Sequence, residues 1–314
     1  MTTYPSLPVS TGYISFTIPS TGQPCQTFYK VIGDLSASKI LPLVALHGGP
    51  GAGHNYLLSL TDLYDKYGIP VIFYDQIGCG NSTHFSDTMG DENFWTIEMF
   101  MSELKNVISH FGLQDTGYYI LGQSWGGVLA ASFASQVPQP RGLKKVVIAS
   151  GPASLPLYAE GTRALLAELP EDARKTLEEC DKKRDYESPE FNVANMVFMK
   201  LHCCRLNEWP EKVTETFENI GKAKEAYMTM QGPSEFIITG SLKTWEGISK
   251  AHNISVPTLL TNGRFDSVQD SSMYPWFNEI SKVKWVAFEK SSHMAHWEER
   301  DRYMEVVGQF LAGQ

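Results

Sequence analysis

Residues 122–127 read Gly-Gln-Ser-Trp-Gly-Gly, and this stretch decides the fold prediction. It fits the pattern G-x-S-x-G, and the apolar run at 118–121 precedes it as a strand would. The small apolar residues that follow at 128–137 are typical of a helix packed on a sheet. A serine in a tight strand-to-helix turn between glycines presents its hydroxyl at the edge of the sheet, so Ser124 is the predicted nucleophile.

The surrounding sequence places this turn in an α/β fold. Helical patterns, such as the apolar spacing across 94–111 and a closing helix at 302–311, alternate with short apolar runs. Such alternation indicates a doubly wound, mostly parallel sheet that is covered on both faces. Residues 12–18 and 26–32 are predicted to form an antiparallel opening pair. The predicted later strands are 41–46, 71–74, 118–121, 146–149, 257–260 and 284–288.

A helical, charge-rich segment interrupts this alternation between about residues 154 and 250. Its acids and bases at 168–190 predict a solvated helical surface. The segment is too long for a connecting loop. We therefore predict an α/β core domain formed by residues 1–152 and 250–314, with a helical cap domain inserted at 153–249.

Composition and charge exclude several functional classes. The 314 residues carry 26 Lys and Arg against 35 Asp and Glu, a formal net charge of −9. No basic run follows one face, so binding to nucleic acid or to a membrane is disfavoured. Five cysteines without a CxxC pair favour a reducing compartment and argue against a zinc site and structural disulfides. Residues 1–5 do not resemble a signal peptide, so a cytoplasmic location is predicted. The acidic chain is compatible with a monomer or a homo-oligomer, and the chemistry expected of Ser124 implies no metal or cofactor.

A serine nucleophile needs a base and a group that orients the base. Asp266 follows the predicted strand at 257–260, and His293 follows the predicted strand at 284–288. The chain order Ser, acid, His is the order found in doubly wound hydrolases. We interpret Ser124, Asp266 and His293 as a triad supplied by three consecutive strand ends.

Three other residues compete for these roles. His296 comes three residues after His293 and is the alternative base from the first turn of a helix. Asp270 is interpreted as a helix N-cap. Asp75 also ends a strand, but the chain order disfavours it, and we expect it to hold the loop at 75–82 together through hydrogen bonds.

Residues 47–51 read His-Gly-Gly-Pro-Gly and follow the strand at 41–46. In such folds this loop supplies the second donor of the oxyanion hole, which needs two N–H groups aimed at one point. The expected donors are the backbone N–H groups of Trp125 and Gly49, with Gly48 as the alternative. We interpret His47 as structural. The loop lacks the Gly-Lys-Ser/Thr sequence of a phosphate-binding loop.

These motifs, together with residues 75–82 (Asp-Gln-Ile-Gly-Cys-Gly-Asn-Ser), resemble the proline iminopeptidases of the α/β-hydrolase fold. Residues 231–236 and 239–245 also look like the cap of prolyl aminopeptidases, so the resemblance covers nearly the whole chain from about residue 12. It implies hydrolysis of an N-terminal peptide bond or of an amino-acid amide. It also implies that Glu235 holds the free amine of the substrate, and Gly48 is placed with Glu235 among the substrate contacts.

The chain departs from the family pattern at one position. The family has a glutamate directly after the catalytic aspartate, where this chain has Ser267. Glu246 is a candidate to compensate for the missing carboxylate. The resemblance therefore predicts a serine hydrolase that acts on a small amide or short peptide, with an esterase or lactonase as the alternative.

The remaining candidates are aromatic residues and cysteines. Of the aromatic residues that are candidates to line an apolar pocket, we expect Trp125 to contact substrate. Cys79 is interpreted as a small buried residue, and the pair at 203–204 as helix packing. The other aromatic candidates are Tyr74, Phe94, Trp95 and Phe236.

Overall fold

A computed structural model describes residues 7–313, and its centre is one eight-stranded sheet. The strands lie in the order β1-β2-β4-β3-β5-β6-β7-β8. β1 pairs with β2 and β2 pairs with β4 in antiparallel fashion, and the other neighbours are parallel. The strands are β1 (Val9–Thr17), β2 (Pro24–Ile32), β3 (Leu43–Leu46), β4 (Val71–Tyr74), β5 (Tyr118–Gln123), β6 (Leu143–Ala149), β7 (Thr258–Gly263) and β8 (Val283–Phe288).

Helices cover both faces of the sheet, which confirms the predicted fold class. Every residue of β3, β4, β5 and β7 is buried, as expected for parallel strands that read as continuous apolar runs. The helices are α1 (Asp62–Tyr67), α2 (Ile97–His110), α3 (Leu113–Thr116), α4 (Trp125–Ala134), α5 (Leu155–Ala167), α6 (Glu171–Lys183), α7 (Pro189–His202), α8 (Glu211–Lys222), α9 (Glu225–Met230), α10 (Ile248–Ala251), α11 (Asp270–Glu279), α12 (Ala295–Glu298) and α13 (Arg300–Ala312), with short 3-10 helices at Asn55–Thr61, Ser86–Thr88 and Ser241–Thr244.

Two helices begin at positions other than those predicted. α4 begins at Trp125, three residues before the predicted start, because the chain enters the helix directly from the turn at Ser124. α2 begins at Ile97, three residues after the predicted start, because the Thr96 side chain caps it by accepting a hydrogen bond from Met99 N. The apolar residues 94–95 before this cap are buried in the preceding loop and not on the helix.

The strand ends correct one part of the triad prediction. Ser124 follows β5, whereas Asp266 and His293 follow β7 and β8. β6 lies between β5 and β7 and carries no member of the proposed triad, so the three strand ends are not consecutive. Instead, the end of β6 supports the turn, because the carbonyl of Ala149 accepts a hydrogen bond from Ser124 N at 2.9 Å.

The chain between β6 and β7 is helical, from α5 through α10. A single antiparallel bridge, Ser154 with Glu246, joins the two ends of this segment. We call residues 153–249 the helical insert; its bounds as a separate domain stay a prediction. Exposed i,i+4 ion pairs on α6, such as Arg174 with Glu178 at 2.7 Å, accord with the predicted solvated surface.

Two further observations concern membrane-spanning helices and the cysteines. None of the helices within residues 7–313 combines the length and the apolar character that crossing a membrane requires. The five cysteines are free thiols, and all five are buried. The predictions for residues 1–5 lie outside the described residues.

Candidate active site

The turn at Ser124 has the geometry of a nucleophile elbow. Ser124 lies at φ 59° and ψ −124°, a conformation that costs a non-glycine residue about 1–3 kcal/mol. The neighbouring glycines allow close backbone contacts. A Cβ at Gly122 would lie 1.9 Å from the carbonyl oxygen of Gly126, and one at Gly126 would lie 2.1 Å from that of Leu46. The sequence G-x-S-x-G is therefore a steric requirement of this turn.

Asp266 and His293 form a buried pair next to the turn. Nδ1 of His293 donates to Oδ1 of Asp266 at 2.7 Å, and the backbone N–H of Val268 donates to the same oxygen at 2.8 Å. Burial lowers the pKa of His293, but the negative charge of Asp266 and this hydrogen bond raise it, and the net pKa lies above its ordinary value. With Nδ1 occupied, Nε2 is the nitrogen available to a substrate or nucleophile.

Gln123, directly before the nucleophile, connects three parts of the site. Its amide nitrogen donates to the carbonyl of His293 at 3.0 Å, and its amide oxygen accepts from the hydroxyl of Tyr56 at 2.5 Å. That hydroxyl in turn accepts from the backbone N–H of Gly48 at 2.7 Å. One buried chain of hydrogen bonds thus joins the histidine loop, the elbow and the glycine-rich loop.

This chain of hydrogen bonds distinguishes Gly48 from Gly49, the two candidate oxyanion-hole donors in the glycine-rich loop. The N–H of Gly48 is engaged by Tyr56, whereas no acceptor within residues 7–313 binds the N–H of Gly49. Gly49 adopts φ 107°, a conformation that favours glycine. Trp125 is the first residue of α4, where a helix leaves its N–H groups without an intrahelical acceptor.

His47 and Gln76 fix the glycine-rich loop from behind. Gln76 N donates to Nε2 of His47 at 2.9 Å, and Nδ1 of His47 donates to the carbonyl of Gly48 at 3.0 Å. Burial lowers the pKa of His47 to about 4, which accords with a neutral, structural ring. The Gln76 side chain also bridges the carbonyl of His47 and the indole nitrogen of Trp125, both at 2.9 Å.

The competing residues occupy other positions. Burial and the neighbouring His293 lower the pKa of His296 to about 3, and its ring packs between Tyr56 and Tyr303. The predicted N-cap role of Asp270 is wrong by one residue. Gln269 is the N-cap of α11, and Asp270 accepts from the side-chain amide of Asn262 at 2.8 Å, because the strand end lies close to the helix start.

Asp75 holds its own loop together, as predicted. Its Oδ1 accepts from the backbone N and from Nδ1 of His54, at 2.8 and 2.7 Å. Its Oδ2 accepts from the backbone N of Asn81 at 2.8 Å. Burial by itself would raise the pKa of Asp75. These hydrogen bonds have the larger and opposite effect, and the net pKa is about 2. Cys79, in the same loop, is fully buried as expected.

Two small cavities meet at Ser124. Gly49, Ser124 and Glu235 line both. The Trp125 chamber, of about 20 Å³, has Trp125 as a wall, and the His293 chamber, of about 30 Å³, has His293 as a wall. The other apolar walls of the Trp125 chamber are Val128, Pro152, Leu155, Leu242 and Val268, and those of the His293 chamber include Ala52, Cys203, Phe217, Ile220 and Met294.

The other predicted pocket aromatics lie elsewhere. Tyr74, Phe94 and Trp95 are buried in the core and line neither chamber. Phe236 lines a separate cavity of about 640 Å³ within the helical insert and packs against Phe198. Cys203 also differs from the prediction, because its buried side chain forms part of the His293 chamber besides packing its helix end.

Glu235 lies where the two chambers meet, held by two phenols. Tyr227 donates to its Oε1 at 2.8 Å and Tyr158 to its Oε2 at 3.3 Å. None of the ion pairs among residues 7–313 includes Glu235. Ser267 is buried and lines neither chamber, whereas Glu246 is exposed and accepts from Ser249 at the start of α10, outside both chambers.

The helical insert is hydrogen-bonded to the loops that carry Asp266 and His293. The N–H of Ser267, next to Asp266, donates to the carbonyl of His202 at 3.0 Å. The N–H of Arg205 donates to Glu298 at 2.8 Å, and Glu298 accepts from the N–H of Ser292, next to His293, at 2.9 Å. We call residues 202–205 the bridging segment.

Several of these residues were not found from the sequence. Tyr158 and Tyr227 lie 77 and 8 residues from Glu235, and no local pattern connects them. Gln123 could have been found from the sequence, because it lies inside the G-x-S-x-G motif and its side-chain amide can reach neighbouring loops. Among the described residues, no group of three or more His, Cys, Asp or Glu is arranged to hold a metal ion.

Fold and site together define an α/β hydrolase of the serine type. The family model for the alpha/beta hydrolase fold matches residues 42–300. A proline iminopeptidase from Saccharolobus solfataricus is 39% identical over 269 residues, which cover 86% of this chain and 84% of that protein. The chain belongs to the proline iminopeptidase family.

Solved structures agree with this placement. The crystal structure of a proline iminopeptidase from Mycobacterium smegmatis has a TM-score of 0.83 at 34% identity, covering 95% of this chain and 98% of that one. The crystal structure of VinJ has a TM-score of 0.91 at 36% identity, covering 97% and 98%. The match therefore includes the helical insert as well as the sheet.

Proposed function

We propose that this protein hydrolyses small amides that carry a free α-amine, namely amino-acid amides or the N-terminal bond of short peptides. The observation that carries the proposal is Glu235, a carboxylate that has no cationic partner among residues 7–313 and shares both chambers with Ser124. An ammonium that leaves water needs a buried carboxylate partner. The names of the curated relatives, proline iminopeptidases, support the same substrate class.

In the proposed mechanism, Ser124 attacks the scissile carbonyl and forms an acyl-enzyme. His293 takes the proton of the serine through Nε2 and then gives it to the departing amine. Asp266 holds the Nδ1–H tautomer of that ring. Water hydrolyses the acyl-enzyme with His293 again acting as the base.

The oxyanion of each tetrahedral intermediate is held by backbone N–H groups of Trp125 and Gly49. Gly48 is favoured less, since its N–H already donates to Tyr56. Gly48 then acts as a wall of the site, where a Cβ would lie 3.0 Å from the Cβ of Ser124.

The test compares two substrate classes on one preparation. Proline and alanine p-nitroanilides are assayed beside p-nitrophenyl acetate and butyrate, with Ser124→Ala as the blank. We expect anilide turnover that requires the free amine, and a loss of about 100-fold in kcat/KM for Glu235→Gln, which removes one charge-assisted contact.

Glu246→Gln is the matched control, because it removes a carboxylate from the helical insert outside both chambers. Equal losses in the two variants would contradict the role of Glu235. Ester turnover alone, unaffected by Glu235→Gln, would favour the esterase or lactonase alternative, which Ser267 in place of the family glutamate also allows.

A further inference from the structure

We infer that the His293 chamber is the leaving-group subsite and that it selects uncharged, apolar leaving groups over those that carry a carboxylate. The inference rests on the proposed function, because it assigns the part of the substrate that departs. It makes the enzyme a hydrolase for N-terminal residues attached to neutral amines, and a poor dipeptidase.

The path of the proton identifies which of the two chambers would hold the leaving group. The base that deprotonates the serine must later protonate the departing nitrogen, so the leaving group lies on the side of His293. His293 lines one of the two chambers and not the other. The acyl residue then occupies the Trp125 chamber, and its amine lies at Glu235, which both chambers share.

Much of the wall of the His293 chamber is apolar. α8 supplies Phe217 and Ile220, and the core supplies Ala52 and Met294. Cys203 adds a thiol whose pKa is raised by burial and by the charge of Glu235, so that it stays neutral. The polar wall side chains of Tyr56, Gln123 and Thr216 are already hydrogen-bonded within the protein.

No lysine or arginine within the described chain lines the chamber. The basic residues of α8 are Lys222, two residues after the wall residue Ile220, and Lys212, one turn before Thr216. Lys222 is paired with Glu218 at 4.0 Å and Lys212 with Glu215 at 2.6 Å. Glu215 also accepts from Asn55 at 2.9 Å where α8 meets the core. The charges around the chamber are therefore either acidic or already neutralised.

A free dipeptide would place its terminal carboxylate in this chamber, where no lysine or arginine of the wall could pair with it. The charge of Glu235 is already paired with the substrate amine, so the cost is that of burying the carboxylate itself. A neutral amide or hydrocarbon group at the same place avoids this cost. The chamber therefore selects by the charge of the leaving group.

The experiment uses two prolyl anilides, and the same pair for alanine, that differ only in a meta substituent on the aniline ring. One carries a carboxylate and the other a carboxamide of similar size, and kcat/KM is measured by chromatography of the released aniline. The wild-type enzyme is expected to favour the carboxamide by about tenfold or more. A ratio near one, or a preference for the carboxylate, would overturn the inference.

Two variants of one wall residue sharpen the test. Ile220→Lys adds a cation to the chamber, and we expect it to lower the carboxamide-to-carboxylate ratio by about fivefold or more. Ile220→Gln is the uncharged control and is expected to leave that ratio near the wild-type value. Because a ratio is compared, a general loss of activity or of folded protein cancels. Equal changes in the two variants would also overturn the inference.

Failure of the proposed function gives a different result. If neither anilide is cleaved while p-nitrophenyl esters are, the amide assignment fails and the chamber is tested on 3-carboxyphenyl and 3-carbamoylphenyl acetates with the same expected ratio.

Discussion

Two aspartates of this molecule follow strands of the same sheet and bind histidines in the same way, yet only one of the two pairs adjoins Ser124. Asp75 follows β4 and Asp266 follows β7, and each accepts from a histidine Nδ1 at 2.7 Å. Both carboxylates are buried. His54 packs between Phe28 and Phe73, with ring-centroid distances of 5.7 and 6.1 Å, and lines neither chamber.

The difference teaches that an Asp–His pair is not by itself evidence of catalysis. Both aspartates also accept from two backbone N–H groups, Asp75 from His54 and Asn81 and Asp266 from Gly263 and Val268, so these bonds do not separate the pairs. His293 lines the same chamber as Ser124, whereas His54 does not. The position of the histidine relative to the strained serine, and not the pair distance, separates the two functions.

The largest effect is expected for Asp266→Asn. An asparagine keeps the shape but favours the wrong tautomer of His293, and a fall in kcat of about 10³- to 10⁴-fold is expected, as in serine hydrolases generally. Stopped or continuous anilide assays measure kcat. A fall in kcat of less than tenfold would mean that the Asp266–His293 pair does not differ in function from the Asp75–His54 pair.

The pH profile provides the control for this variant. Catalysis needs neutral His293, and its pKa is raised, so kcat/KM of the wild type should fall as the pH drops through a value above 6.5. Removing the charge of Asp266 should move this acid limb to lower pH. A limb at the same pH in both proteins would mean that another group controls it.

Asp75→Asn is the matched change at the second pair. It should lower the free energy of unfolding by about 2–3 kcal/mol, because a buried carboxylate loses charge-assisted bonds. Below the unfolding transition, kcat/KM should stay within about threefold of wild type, since neither Asp75 nor His54 lines the two chambers. Urea unfolding and the anilide assay are run on one preparation. A fall of 10³-fold in rate would assign Asp75 to catalysis.

A third buried acid, Glu103, lies next to the Asp75 loop and should affect how the free energy of unfolding depends on pH. It accepts from Thr27 at 2.6 Å and from the N–H of Ile77 at 3.1 Å, and burial raises its pKa from 4.5 to about 8. The folded state therefore holds a proton that the unfolded state loses above pH 4.5. Stability should fall as the pH rises toward 8, by at most about 1.4 kcal/mol per pH unit.

Glu103→Gln removes this titration while it keeps the shape of the side chain. Urea unfolding at pH 5.5, 6.5 and 7.5 should give a flatter pH dependence for the variant than for the wild type. The lowered pKa of Asp75 affects stability only below about pH 4, so the two acids titrate in separate windows. Parallel pH dependences would show that Glu103 is ionised in both states.

The smallest effect is expected for Gln123→Met. Loss of the bonds to His293 and Tyr56 should lower kcat by about fivefold, the rate equivalent of a hydrogen bond worth about 1 kcal/mol. Tyr56→Phe should give a similar loss, and the double variant should lose less than the product of the two. Independent effects would mean that the chain of bonds does not act as a unit.

The sequence was most informative where local steric rules apply. The glycines around Ser124 follow from backbone contacts that only glycine permits, so the turn, the strand before it and the helix after it were predictable. The eight strands were predicted because buried parallel strands read as apolar runs. The starts of α2 and α4 were misplaced by three residues, since a cap and a tight turn set them and apolar spacing does not.

Contacts between distant segments were beyond the sequence. The tyrosines that hold Glu235 come from two helices of the insert, and their meeting depends on how those helices pack. Glu246 was a reasonable candidate by residue type, but an adjacent helix start binds its carboxylate. The sequence favoured Gly49 over Gly48 as a donor, but it did not show that the Gly48 N–H is bound by Tyr56, eight residues away.

The bridging segment, residues 202–205, has a consequence for engineering. A chimera that exchanges the insert has two covalent junctions, one at each end. Hydrogen bonds also join the interior of the insert to the core, and those at His202 and Arg205 reach the loops that carry Asp266 and His293. A transplanted insert must therefore match the recipient at these inner contacts as well as at its ends, and we expect a mismatch there to lower activity even in a chimera that folds well.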